Sequence, residues 1–121
     1  MLIENKNLGL TSDDVMACDS VSLLQEWLME QQMDVASIDM QIDVANQYKQ
    51  DCGEYANEQH YKKLKRAQML QKNLYSLIKK RLEFVRSKQE SLKDSIITIF
   101  RANLTDEEWE RIEEEARSNL S

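Results

Sequence analysis

The sequence predicts an all-α fold, a long antiparallel helical hairpin of coiled-coil type with short N-terminal and C-terminal helices. The 121 residues include 2 Gly and no Pro, so the chain lacks the residues that a fold of many tight turns requires. Apolar residues recur at alternating steps of three and four over two long segments, the spacing of one helix face. The charge reverses between these segments, which favours their pairing. We expect one helical domain over residues 1–121.

The two short helices are predicted from capping signals. A first helix over residues 12–18 follows Thr11, a suitable N-cap with two acids in the next turn. A terminal helix over residues 106–118 follows Thr105, which can form a capping box with Glu108. Acidic residues fill most of the solvent-facing positions of this last helix, so we expect an acidic helix there.

A long acidic helix is predicted over residues 20–50. Its heptad seam has one polar member, Gln31, among apolar residues. The apolar members are Val21, Leu24, Leu28, Val35, Ile38, Ile42 and Ala45. Trp27, Met33 and Met40 lie close to this seam, and we expect them to widen the packed face of the helix.

A second, basic long helix is predicted over residues 55–102 after a turn near Gly53, which adopts a left-handed conformation without strain. Its seam has Gln71 and Gln89 as polar members. The other members are Tyr61, Leu64, Ala67, Leu74, Ile78, Leu82, Val85, Leu92, Ile96 and Ile99. Its steps are also threes and fours, so the two seams can pack together. The two consecutive steps of four from Leu74 to Ile78 to Leu82 are a stutter, which locally relaxes the left-handed supercoil.

An antiparallel hairpin closed near Gly53 brings apolar members of the two seams together. The expected neighbours are Ile42 and Leu64, Leu28 and Ile78, Leu24 and Leu82, and Val21 and Val85. Gln31 is then expected near Leu74 or Tyr75, and Gln71 near Val35. The middle of the hairpin is therefore either its weakest stretch or the place where an amide sets the register.

The charge is distributed as acid, base, acid along the chain. Residues 1–60 hold two bases against twelve acids, residues 61–103 twelve bases against three acids, and residues 104–121 two bases against seven acids. Opposite fields of this kind favour packing of the acidic helices against the basic one. The basic segment is also the one candidate for binding an anionic ligand.

Basic residues of the second long helix are our candidates for binding a partner or a nucleic acid. They are Lys62, Lys65, Arg66, Lys72, Lys79, Lys80, Arg86 and Lys93. Five of them recur at every seventh position and so form a ridge along one side of the helix. We favour a ridge that is matched by the acidic helices or solvated, because no aromatic residues interleave the cations. The alternative is that the ridge follows a phosphate backbone.

Apolar residues near the end of the chain are our candidates for self-association. They are Leu92, Ile96, Ile99, Phe100, Trp109 and Ile112. Residues 86–100 extend beyond the acidic helix in the expected hairpin, so their apolar side chains need a cover. A second copy can supply it, because a hairpin of two helices buries only a thin core. We therefore expect a homo-oligomer, with a dimer favoured.

The methionines allow two interpretations. Four of the 6 Met residues, at positions 16, 29, 33 and 40, lie along the acidic helix or just before it. Methionine fills irregular gaps in cores, and this is the interpretation we favour. The alternative is a soft, adaptable surface that accepts partners.

No catalytic, cofactor or metal site is predicted. His60 is the single histidine, and Cys18 and Cys52 show no metal-ligand spacing. The sequence has no Gly-rich phosphate loop and no arrangement of a nucleophile with a base. It also shows neither a signal peptide nor an apolar run of about 20 residues. We expect a cytoplasmic protein with no enzymatic activity, no cofactor and no membrane association.

These observations favour a non-enzymatic helical factor that acts through protein–protein contact in a regulatory, adaptor or assembly role. The expected partner is a protein whose identity the sequence does not specify. One alternative is a small acidic inhibitor that binds a nucleic-acid-handling protein. The other is direct nucleic-acid binding through the basic helix.

Overall fold

The computed structural model describes residues 2–120 and confirms the all-α hairpin. The elements in order are β1 (Glu4–Asn5), β2 (Leu10–Thr11), α1 (Ser12–Ala17), α2 (Val21–Cys52), α3 (Glu58–Ala102) and α4 (Asp106–Leu120). The chain divides into two compact units, the first ending at Val85 and the second beginning at Arg86. The expectation of one domain over residues 1–121 stays a prediction.

Capping side chains begin α1 and α2 at or next to the predicted starts, whereas α3 begins at Glu58, three residues after the predicted start. Thr11 and Asp14 form a capping box at α1, in which the Asp14 N–H donates to Thr11 Oγ1 over 3.2 Å. Ser20 Oγ accepts from the Leu23 N–H at the start of α2. Gly53 ends α2 with φ of 84°, and its N–H donates to the Lys49 carbonyl over 2.7 Å. Each satisfied end group fixes a helix boundary.

The N-terminal residues form a small β-hairpin that the sequence analysis does not predict. Asn5 pairs with Leu10 across the two antiparallel strands. The Asn5 Oδ1 atom accepts hydrogen bonds from the N–H groups of Asn7 and Leu8, and Gly9 has φ of 62°. An Asx turn and a left-handed glycine close the hairpin. Strands of two residues are too short to show an alternating pattern, so the β-hairpin could have been predicted only from its turn residues.

The core of the first unit lies where the N-terminal segment covers the hairpin of α2 and α3. Its buried members are Leu10, Val15, Leu24, Leu74, Ile78, Leu82 and Val85. Leu24 and Leu82, a predicted pair, both belong to this core, and Leu28 packs against it. The expectation that Met33 and Met40 widen the packed face is wrong, because they are 72% and 69% exposed. The N-terminal segment supplies the extra apolar surface instead.

Buried amides connect the N-terminal segment to both long helices. Gln31 is fully buried, and its Nε2 donates to the backbone carbonyl and to Oε1 of Gln71, each over 2.9 Å. Asn5 Nδ2 donates to Gln31 Oε1 over 2.7 Å, and Gln71 Nε2 donates to the Glu4 carbonyl. The predicted role of an amide in the middle of the hairpin is therefore present. Its hydrogen-bond partner on α3 is Gln71, because a buried amide requires hydrogen bonds. The expected position of Gln31 near Leu74 or Tyr75 stays a prediction.

The second unit consists of the end of α3 and of α4, joined by a short turn. The predicted capping box is present, since the Glu108 N–H donates to Thr105 Oγ1 and Glu108 Oε1 accepts from the Thr105 N–H. Trp109 is half-buried, and its Nε1 donates to Glu113 Oε1 over 2.6 Å. The Arg101 guanidinium lies 4.8 Å from the centre of the Trp109 ring. No residue that the structure describes in this unit is fully buried.

Removal of the central amide should destabilise the first unit. We expect Gln31→Ala to lower the free energy of unfolding by about 1–3 kcal/mol, because the polar groups of Asn5 and Gln71 lose a buried partner. Gln32→Ala, at an exposed position of the same helix, should change it by less than about 0.5 kcal/mol. Urea unfolding followed by circular dichroism measures both. Equal losses in the two variants would contradict the role of the amide.

Candidate interaction surfaces

The basic ridge candidates all lie on α3 and are exposed. In the first unit, Lys72 Nζ lies 3.5 Å from Asp39 Oδ1 of α2. Lys62 pairs only with Glu58 of its own helix, and Lys65 donates to Gln68. Arg66, Lys79 and Lys80 complete the candidates of this unit. The structure thus brings one candidate cation of the first unit within ion-pair distance of an acid on α2.

Two further candidates, Arg86 and Lys93, lie in the second unit and are exposed there. Within residues 2–120, neither of them has an acidic oxygen within 4.0 Å, and the same holds for Lys79 and Lys80. These positive charges are therefore available to solvent or to a ligand. Exposed cations without close counter-charges are the groups that release counter-ions when phosphate binds.

Arg81 has a structural role that the sequence analysis does not separate from its basic neighbours. Its Nε donates to the Cys18 carbonyl over 3.0 Å, and its Nη2 lies 2.7 Å from Asp19 Oδ1. The guanidinium also lies 5.1 Å from the centre of the Phe84 ring. Arg81 thereby ties the connection between α1 and α2 to α3. The planar guanidinium can satisfy both acceptors at once, which a lysine ammonium cannot match in geometry.

Asp39 is the acid of α2 that meets the basic helix. Gln68 Nε2 donates to Asp39 Oδ1 over 2.6 Å, and the Lys72 ammonium lies beside the same oxygen. The Gln68 hydrogen bond, followed by the positive charge of Lys72, lowers the pKa of Asp39 below the ordinary value of an aspartate. The charged carboxylate is favoured here by direct contacts.

The self-association candidates form an exposed apolar surface in the second unit. Leu92 and Ile99 are 62% and 63% exposed, and Ile96 and Phe100 are exposed to a similar degree. Ile112 of α4 is also exposed, whereas Trp109 is half-buried. We call these six residues the second-unit apolar surface. The predicted seam of α3 is thus buried at Leu74, Ile78, Leu82 and Val85 and exposed at Leu92, Ile96 and Ile99.

A second apolar surface lies on α2 in the first unit. Its members are Met29, Met33, Met40 and Val44, and each is more than two-thirds exposed. We call these four residues the methionine face. The preferred interpretation of the four methionines at positions 16, 29, 33 and 40 as core filler is wrong, because all four are exposed. The sequence already indicates exposure for Met29, because this residue lies off the heptad seam.

The residues considered for chemistry are not grouped in the structure. His60 is exposed near the start of α3, and Cys18 and Cys52 are free thiols at opposite ends of α2. Among residues 2–120, no cluster of three or more His, Cys, Asp or Glu is positioned to hold a metal ion. The described helices also include none with the length and apolar character needed to cross a bilayer.

Comparison with protein-family models, curated proteins and solved structures finds no match to this chain. Function is therefore inferred from the surfaces described above. Two of these surfaces are apolar and one is basic.

The Asp39 contact should make stability depend on pH. A carboxyl whose pKa is lower in the folded chain stabilises the fold above its unfolded pKa, and this contribution is lost as the pH falls through the folded pKa. Asp39→Asn should therefore be less stable than the wild type at pH 7, and the difference should vanish toward about pH 2. Urea midpoints at several pH values measure it.

The matched control is Asp43→Asn, at an exposed position of the same helix. Within residues 2–120, Asp43 has no basic group within 4.0 Å. This control should change the urea midpoint little at any pH. A constant difference between Asp39→Asn and the wild type across the whole pH range would contradict the prediction.

Proposed function

We propose that the protein is a non-enzymatic helical factor that acts through protein–protein contact in a regulatory, adaptor or assembly role. We further propose that it works as a homodimer formed through the second-unit apolar surface. The observation that carries this proposal is the exposure of Leu92, Ile96, Ile99 and Phe100 on neighbouring turns of one helix.

The spacing of these side chains supports association along a helix. Leu92, Ile96 and Ile99 are separated by steps of four and three, so they lie on one stripe of α3. A stripe of this kind packs against an equivalent stripe with knobs-into-holes contacts. Each fully buried Leu or Ile side chain contributes about 1.5–3 kcal/mol. A dimer with two-fold symmetry buries the same stripe on both copies at once.

Nucleic-acid binding by α3 is a second candidate function. The observation that favours it is that Lys79, Lys80, Arg86 and Lys93 are exposed and have no acid within ion-pair distance in the described chain. Four such cations would make affinity fall steeply with salt. Acids of α2 and α4 oppose this function, because their negative charge repels phosphate.

Placing a charge on the apolar surface should break the dimer. We expect Leu92→Glu with Ile96→Glu to raise the dimer dissociation constant at least about 100-fold, because burial of two unpaired carboxylates is costly. Ser87→Glu is the matched control, since residue 87 lies on the opposite side of α3. Sedimentation equilibrium measures the constants. A wild-type protein that remains monomeric at about 100 µM would refute the dimer.

The nucleic-acid alternative has a separate test. If α3 binds phosphate, single-stranded or duplex DNA should shift the protein in a gel at about 50 mM salt, and Lys79→Gln with Lys80→Gln should weaken the shift several-fold. Lys6→Gln, an exposed lysine outside α3, is the control. The absence of any shift with the wild-type protein at low salt would remove this candidate.

A further inference from the structure

The helix α2 carries apolar residues on two opposite sides. Its buried residues, Leu24, Gln31 and Ile42, face the hairpin core. At about 100° per residue, the methionine face occupies an arc of about 60° centred on the opposite side of the helix. Helices at a protein surface usually have one apolar side and one polar side. A helix with two apolar sides is normally packed on both.

The methionine face is long enough to hold another helix. Its members span Met29 to Val44, which corresponds to about 22 Å along α2. Near its C-terminal end, Met40 and Val44 line an open, largely apolar groove together with Tyr48 and Leu64. Unbranched methionine side chains change rotamer easily, so such a surface can pack against helices of differing sequence.

Acidic side chains border this face on both edges. Glu26 and Glu30 lie along one edge, and Asp43 lies along the other. None of these three acids has a basic group within 4.0 Å among residues 2–120. Lys49 is the one basic residue of α2, against six acids. The acids that border the methionine face therefore have no close counter-charge and are available to a basic partner.

We propose that the methionine face of α2 is the docking site for a basic amphipathic helix of a partner protein. The partner's apolar side chains cover the four members of the face, and its Lys or Arg residues pair with Glu26, Glu30 and Asp43. Complementary charge at the rim favours encounter with such a helix and disfavours other partners. Two copies of α2 facing each other would place these acids against one another, which opposes self-contact here. The inference rests on the proposed role in protein contact but not on the dimer.

A synthetic peptide tests the site. The probe is an 18-residue peptide of Leu and Lys with leucines at helical spacing, and its counterpart has the same composition without a helical stripe. We expect the first to bind the full chain in fluorescence anisotropy and the second to bind at least about tenfold more weakly. Met33→Gln with Met40→Gln should lower the affinity for the first peptide at least about tenfold, because two apolar contacts are lost.

Matched variants separate the apolar and the charged contributions. Met69→Gln, which alters an exposed methionine of α3, should leave peptide affinity unchanged. Glu26→Gln with Glu30→Gln should lower the affinity for the helical peptide several-fold and make this affinity less sensitive to added salt. Circular dichroism checks that each variant remains helical. Equal binding of the two peptides, or no effect of the Met33 and Met40 changes, would overturn the proposal.

The dimer and the docking site can fail independently. Leu92→Glu with Ile96→Glu should leave peptide affinity unchanged if the methionine face is the docking site. If the wild-type chain self-associates and the variant with Met33→Gln and Met40→Gln does not, the occupant is a second copy and the proposed basic partner is wrong. Binding of an acidic peptide with the same leucine stripe at equal affinity would also contradict the charge argument.

Discussion

The structure of the first unit depends on hydrogen bonds that buried amides make in the middle of the hairpin. Leucine-type seams alone permit several registers, since a shift by one heptad still brings apolar residues together. Gln31 removes this freedom, because its amide is fully buried and finds its partners at Gln71 and Asn5. A shifted hairpin would bury the same amide against apolar side chains, at a cost of about 1–3 kcal/mol. The register and the docking of the N-terminal segment are thus specified by one set of contacts.

The N-terminal segment completes a core that two helices cannot form by themselves. Leu10 and Val15 are buried beside Leu74 and Ile78, so the β-hairpin and α1 act as a third layer over one side of the hairpin. Arg81 fixes the end of this layer through the Cys18 carbonyl and the Asp19 carboxylate. Because the cover lies on one side, the methionine face of α2 stays exposed. The side of α2 that packs in the core and the exposed methionine face are therefore different sides of the same helix.

Helix positions and the seams could be predicted from the sequence because they follow from local signals. Thr11, Ser20 and Thr105 begin helices through their own hydroxyl groups, and Gly53 ends one through its left-handed backbone. These interactions span three or four residues, so a local pattern contains them. The fold class follows from the same signals.

Long-range contacts could not be predicted in the same way. The pairing of Asn5 with Gln31 joins residues 26 positions apart, and no local pattern indicates it. The exposure of Met33 and Met40 depends on which side of α2 the N-terminal segment covers. Sequence periodicity identifies apolar residues but cannot decide which of two apolar sides is packed. The residues of the candidate surfaces could therefore be identified from the sequence, but only the structure shows which of them are exposed.

Charge segregation gives the two exposed apolar surfaces of this chain different surroundings. The methionine face is bordered by acids, whereas the basic residues Lys88 and Lys93 lie on the helix that carries Leu92 and Ile96. Burial of apolar surface is non-directional, so it supplies affinity but little specificity. Charge at the border of an apolar surface must therefore determine the choice of partner. An acidic border selects against acidic helices, including the Glu-rich α4 of another copy. The same segregation that favours α2 and α3 as neighbours thus also restricts what can bind to the outer side of α2.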